Sequence, residues 1–211
     1  GPISYNEAGI YTQIQEDIEM GNESSLKLTG SVRYDKSEFF DGNFSPRLSA
    51  AYFFNRNHNL RFSLQTGFRN PTTQDLFIGL DAGRAILVGS AADNLDRYSR
   101  NFAVSGTAQS LFGQPATITQ TGRAAYENSY TASSVAALSA TGNPGVLQVS
   151  NPDLIKPEQV TSVELGYRGK IGNVTLDMSA YYNQYSDFIS GEAVIAPFYG
   201  KVGDNGLSVA A

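Results

Sequence analysis

The 211-residue sequence has no cysteine, no tryptophan and a single histidine, His58. Without cysteine there are no disulfide staples and no thiolate metal sites, a composition that suits an oxidising compartment. A His-rich metal site cannot be built. His58 sits between Asn57 and Asn59 and is expected as a solvated residue of a tight turn, not as a catalytic base. No apolar run approaches the roughly 18 residues of a transmembrane helix. The first residues, Gly1-Pro2-Ile3-Ser4, carry neither a basic nor an apolar region, so no signal peptide is expected. Basic excess is lacking too. The net charge of −5 and pI of about 4.9 argue against a nucleic-acid partner. No glycine-rich phosphate cradle occurs, and neither the Asp93/Asp96 pair nor Asp204-Asn205 has the spacing of a calcium loop. These acids are expected to be solvated. Neither catalysis, a cofactor nor a metal is expected.

What the chain does have is alternation. Leu26, Leu28, Gly30, Val32 and Tyr34 make one face of a strand, and Lys27, Thr29, Ser31, Arg33 and Asp35 the other. Six segments read this way: about Tyr5 to Ile18, Ser25 to Asp35, Pro46 to Phe54, Asn59 to Arg69, Gln159 to Gly169 and Val174 to Tyr185. All six exceed the roughly 5–6 residues typical of a strand in a soluble protein. One apolar face and one wet face along each strand is the pattern of an outer-membrane barrel wall. The mean hydropathy of −0.25 is compatible, because half of each strand faces a wet lumen.

The connections sort by length. Gly21-Asn22, Asn55 to His58 and Lys170 to Asn173 are tight turns, whereas Lys36 to Ser45, residues 71–157 and Ser186 to Ala211 are longer. Short turns at one end and long loops at the other define an up-and-down membrane barrel with its long loops outside. Residues 71–157 form an 87-residue connection, too long for a plain linker and so expected to be folded. Leu95, Tyr98 and Phe102 fall at helical spacing, and Ser133 to Ala140 reads as a helix stopped by Gly142. Aromatic residues gather near strand ends: Tyr34, Phe39, Phe40, Phe44, Phe68, Tyr182, Tyr185 and Phe188 toward the loops, and Tyr52, Phe53, Phe54 and Tyr167 toward the turns. Six strands do not close a membrane barrel, since about eight is the usual minimum.

Three stretches resemble the barrel of TonB-dependent outer-membrane receptors. Leu26 to Asp35 followed by Phe44-Ser45-Pro46-Arg47 resembles that family's Ser-Pro-Arg strand start. Gly67-Phe68-Arg69-Asn70-Pro71-Thr72 is similar to the motif that ends a strand at a large outer loop. Asn151-Pro152-Asp153-Leu154, Lys156-Pro157-Glu158 and Glu164-Leu165-Gly166-Tyr167 resemble a further strand start, with Ile155 as an extra residue. Tyr181-Tyr182-Asn183, Tyr185 and Asp187-Phe188-Ile189 continue the likeness. The flavour is closest to receptors of Bacteroidota. The resemblance implies an all-β fold in which these residues supply antiparallel up-and-down transmembrane strands, about six of a barrel of about 22. Residues 1–211 then read as an internal fragment of a longer receptor, with 71–157 a long extracellular loop.

The same resemblance implies a function. The receptor binds a scarce nutrient at its extracellular loops and imports it with TonB energy, from the bacterial outer membrane. Its partners are outer-membrane lipid, the remainder of its own barrel and plug, TonB through that plug, and a surface lipoprotein as a further candidate. Ligand contacts are expected from Arg69, Asn70, Gln74, Asp75, Arg84, Tyr98 and Arg100, because Arg grips carboxylates or phosphates and Tyr stacks on rings. Arg69 and Asn70 have a second reading, as pins at the loop base. Arg33, Gln65, Glu164 and Asp177 face the lumen, where they either meet the plug or pair among themselves. Gly79 and Gly83 read as loop glycines. The alternatives are a non-transport barrel serving a membrane assembly and a soluble β-sandwich.

Overall fold

The computed structural model describes residues 4–204. Four strands come first: β1 (Glu7–Gly21), β2 (Ser24–Ser37), β3 (Asn43–Phe54) and β4 (His58–Arg69). The next connection holds α1 (Thr73–Phe77), β5 (Gly79–Asp81), β6 (Ile86–Val88), β7 (Ser99–Ala103), α2 (Gly106–Phe112), β8 (Thr117–Thr121), α3 (Arg123–Glu127), β9 (Tyr130–Thr131) and α4 (Ala132–Thr141). Then come β10 (Glu158–Ile171), β11 (Val174–Ser186) and β12 (Val194–Ile195). The chain divides into two compact units, one of residues 4–70 with 156–189 and the other of residues 71–155 with 190–204.

In the first unit the six long strands make one antiparallel sheet in the order β1-β2-β3-β4-β10-β11. Its register carries the alternation from strand to strand. Ile14, Gly30, Leu48, Leu64, Val163 and Tyr182 lie in one cross-sheet row. Gln15, Thr29, Ser49, Ser63, Glu164 and Tyr181 form the adjoining row on the opposite face. The sheet thus has an apolar face and a polar face, since successive side chains point to opposite sides. A slip of one residue would exchange them.

Hairpin chemistry explains the short ends. Gly21 and Ser24 close β1–β2 around Asn22 and Glu23, both at positive φ, as a two-residue hairpin turn of the I′ kind requires. In β10–β11 the turn is Gly172-Asn173, and Gly172 takes the left-handed conformation. Strand ends differ by a few residues from the alternation. β3 starts at Asn43, not Pro46, because Asn43 to Ser45 continue the ladder with Arg33 to Asp35. Pro46 is tolerated inside the strand because β4 pairs only from Arg47 onward, leaving it on a locally open edge.

His58 is a correction. It opens β4, half-buried on the apolar face, where its ring stacks with Phe54 and Tyr167. Its Nδ1 lies 2.7 Å from the Tyr167 hydroxyl. Register puts it opposite Gly169, where an added Cβ would collide with the Tyr167 hydroxyl. The absent side chain lets Tyr167 lean along its own strand to reach the imidazole. Tyr52, Phe54, His58 and Tyr167 thus cluster on one face at the turn end, whereas Phe53 points to the other.

The second unit has a different logic. All the buried apolar residues among those described belong to it: Leu76, Ala91, Leu95, Val104, Ala108 and Tyr130. Ser133 to Ala140 is helical, within α4, and Gly142 at φ 66° caps its C-terminus. Leu95, Tyr98 and Phe102 do not form a helix. Asn94 donates from Nδ2 to the carbonyls of Ile78 at 3.0 Å and Gly89 at 3.1 Å, tying this stretch to the β5–β6 region in place of a helical ladder.

The His58–Tyr167 bond should be measurable. Tyr167→Phe is expected to lower the stability of the folded protein by about 1 kcal/mol, read from the urea midpoint. An unchanged midpoint would mean that the stacked rings alone hold this corner.

Candidate ligand-recognition surface

The second unit is positioned by caps and glycine crossings. Thr72 caps α1, and Asp75 returns the bond by accepting from the Thr72 amide at 2.8 Å. Gly89 passes so close to α1 that a Cβ there would stand 2.5 Å from the Leu76 carbonyl. The buried Ser90 hydroxyl accepts from the Ile155 amide at 2.7 Å, and the Tyr126 hydroxyl donates to the Val88 carbonyl at 3.1 Å. Burial pushes the Tyr126 phenol above its ordinary value.

Charges on this unit are paired around its arginines. Arg123 bridges Asp96, from Nε at 3.0 Å, and Glu127. Its guanidinium holds the Asp96 carboxyl below the usual carboxylate range. Arg97 pairs with Asp93 and lies 5.5 Å over the Phe77 ring. Asp93 and Asp96 are exposed loop acids, each with an arginine within reach. No cluster of three metal-ligating side chains occurs among the described residues, and Asn205 lies outside them.

The candidate residues fall into distinct settings. Arg69 closes β4 by donating to Glu158 of β10 at 2.8 Å. The Asn70 amide donates to Glu7 at 3.0 Å. Glu7 is on β1, with β2 and β3 intervening. Both residues have the geometry of pins at the loop base. Asp75 is occupied as the capping partner of Thr72, while Gln74 is exposed on the first turn of α1.

Tyr98, Arg100 and Arg84 lie on or beside the β5–β6 hairpin. The Tyr98 ring packs on Gly79, where a Cβ would be 3.3 Å from Cδ2. Arg100 pairs with Asp81 at the end of β5 and stands 5.3 Å over Phe102. Arg84 is exposed at the hairpin tip, beside Gly83 at φ 81°. Sequence reasoning missed Phe102 with Phe198, whose rings are 4.7 Å apart, and Arg123. Of these arginine clusters, Asp93/Arg97 and Arg123/Glu127 show an i, i+4 spacing in sequence. Phe198 and Asp96 carry no local signal.

On the polar face of the sheet, the structure separates bound from unbound charges. Arg33 is held by Asp35 at 2.7 Å, and Lys27 lies 3.5 Å from Asp17. Arg61 reaches Asp177 at 2.7 Å by lying across Gly166, where a Cβ would be 3.1 Å from Nε. Arg47 and Glu164 are exposed on interior strands with no ion pair among the described residues.

A family model described as TonB dependent receptor-like, beta-barrel matches residues 1–204. A search of curated proteins finds no match.

The Asp96–Arg123 pair predicts acid sensitivity in this unit. A carboxyl whose folded value is depressed contributes stability above its unfolded value and loses it as pH falls through the folded one. Protection of the Arg123 and Gly122 amides, corrected for intrinsic exchange, should therefore drop below about pH 4. Arg123→Gln should lower protection at neutral pH and flatten that acid profile. An unaltered profile in the variant would remove Asp96 as its source.

Proposed function

Because the chain belongs to the TonB-dependent receptor β-barrel family, we propose that it supplies wall and outer recognition surface to an importer of a scarce nutrient. Membership already implies TonB-dependent transport from the bacterial outer membrane, and the family is not enzymatic. It also implies a plug and the rest of the barrel. The open edges agree with that. β1 is exposed throughout and β11 at all but Asn183, and an unpaired strand edge in hydrocarbon would leave backbone groups unsatisfied.

One observation carries the recognition reading. The connection from β4 to β10 has its own buried core and its own helices and hairpins, which a mere linker has no need of. We assign it to the extracellular side because the connections at the opposite end of the strands are tight turns. Within it, the exposed Gln74 and Arg84 and the Tyr98–Arg100 pair beside β5 are the proposed ligand contacts. Arg69, Asn70 and Asp75 have structural partners, the first two within the sheet unit and Asp75 at the start of α1, and are proposed as structural residues, not contacts. Arg47 and Glu164, unpaired on the polar face, are the proposed contacts for plug or cargo in the lumen. Assignment to the Bacteroidota type, with a surface lipoprotein as a further partner, rests on motif likeness and is part of the proposal.

Two measurements test this. In the full-length receptor, Leu64→Cys should resist a water-soluble maleimide and be quenched by a lipid-borne spin label, and Ser63→Cys should show neither lipid quenching nor the same resistance. Identical behaviour at the two neighbours would contradict a membrane wall. Deleting 71–155 should leave a heat-modifiable barrel in the outer membrane and abolish nutrient-limited growth that depends on the receptor. Normal growth with the deletion would sink the recognition role.

A further inference from the structure

The second unit is assembled from two different connections. Residues 71–155 join β4 to β10, and residues 190–204 follow β11; both leave the sheet at the same end, where Arg69 pairs with Glu158 and Gln159 with Ser186. The later segment is held largely by its main chain. Val194 and Ile195 pair with Thr131 and Tyr130, and the Ala193 carbonyl accepts from the Ala132 amide at 3.0 Å. The Pro197 carbonyl accepts from the Gln120 side chain. Asn128 grips the segment at two points, donating to the Gly200 carbonyl at 3.2 Å and accepting from the Val202 amide at 2.8 Å. The Gly203 amide donates to the Tyr130 hydroxyl at 2.7 Å. Side chains add the Phe102–Phe198 ring contact and a Ser150–Glu192 hydrogen bond.

The anchor residue for this segment is also the centre of the unit. Tyr130 is the largest fully buried side chain among the described residues, at 1% exposure. Its strand stands between β12 on one side and Gln148-Val149 on the other, with the Thr131 amide donating to the Gln148 carbonyl at 2.9 Å. Removing the later segment would open one side of that strand and free the hydroxyl of a buried ring.

We propose that residues 190–204 are a strap that closes the unit, so that the connection after β4 and the connection after β11 fold and move as one recognition body. Main-chain bonding makes the strap tolerant of side-chain change, except at Gly200 and Gly203, whose φ values of 80° and 87° favour glycine. The coupling concerns this unit alone and stands or falls independently of what the receptor imports, since no cargo enters its test.

That test is hydrogen exchange on the full-length receptor. Val202→Pro deletes the amide that Asn128 accepts from and touches no side chain of residues 71–155; Asn128→Ala cuts the same bond from the other side. The reporters are the Ser129 and Thr131 amides, whose partners Asn151 and Gln148 lie outside the strap. Both variants should speed exchange at the reporters about tenfold or more, with β3 and β4 amides unchanged. Faster exchange confined to Gly203 and Ala132, with the reporters at wild-type rates, would make the strap a passenger and overturn the proposal. In a Val202→Pro receptor carrying Thr131→Cys and Val194→Cys, directly opposed in the ladder, a disulfide is geometrically allowed. The sequence has no cysteine of its own to compete. Oxidation should restore slow exchange at Ser129 relative to the reduced form, and failure to restore it in the cross-linked protein would also overturn the proposal.

Discussion

A backbone N–H or C=O carried into hydrocarbon has no water to bond, so each must find its partner on a neighbouring strand. The sheet β1-β2-β3-β4-β10-β11 is organised by that constraint. It makes the strands long, 12 to 15 residues each, and it keeps their registers continuous. It also ties the apolar row through Ile14, Leu48, Leu64 and Tyr182 to a single face. Side chains are then free to serve the medium on either side. Burial contributes little here, for the strands hold none of the fully buried apolar residues among those described.

The unit of residues 71–155 and 190–204 obeys the ordinary rule of a water-soluble fold. Leu76, Leu95, Ala108 and Tyr130 leave water, and that burial, with caps on α1, α2 and α4, offsets the entropy of ordering a long connection. The two units therefore divide the physical tasks. The sheet satisfies its backbone to live in a membrane, and the loop unit buries side chains to hold a defined surface. The proposed recognition role suits the second task, because the proposed contacts Arg84 and Arg100 need a scaffold that does not collapse.

Glycine mediates several of the contacts that matter most. Gly166 gives Arg61 its path to Asp177, Gly169 gives Tyr167 its path to His58, and Gly89 lets the chain cross α1. Each is an absence that a sequence displays only as a small residue. The expected lumen charges were thus half readable. Alternation placed Arg33, Glu164 and Asp177 on the polar face; Arg33 is held by Asp35 two residues along its own strand, whereas only the register showed that Asp177 meets Arg61 and that Glu164 has no ion pair among the described residues. Arg69 and Asn70 were readable as loop-base residues from their motif, yet their partners Glu158 and Glu7 lie 89 and 63 positions away. His58 was misplaced because its neighbours Asn57 and Asn59 suggest a turn, while the stacking partner Tyr167 is 109 positions distant.

Local chemistry was legible along the chain: six alternating strands, tight turns at one end, long connections at the other, and motifs sufficient for the family. Period-two patterning and turn residues act over a few positions and are visible without a partner. Pairings across distance came only with folding. Folding joined β4 to β10 over the long connection, stitched residues 190–204 onto Asn128 and Tyr130, and sorted arginines into held and free. Those outcomes depend on which main-chain and charged groups meet in three dimensions, and no spacing along the chain encodes that meeting.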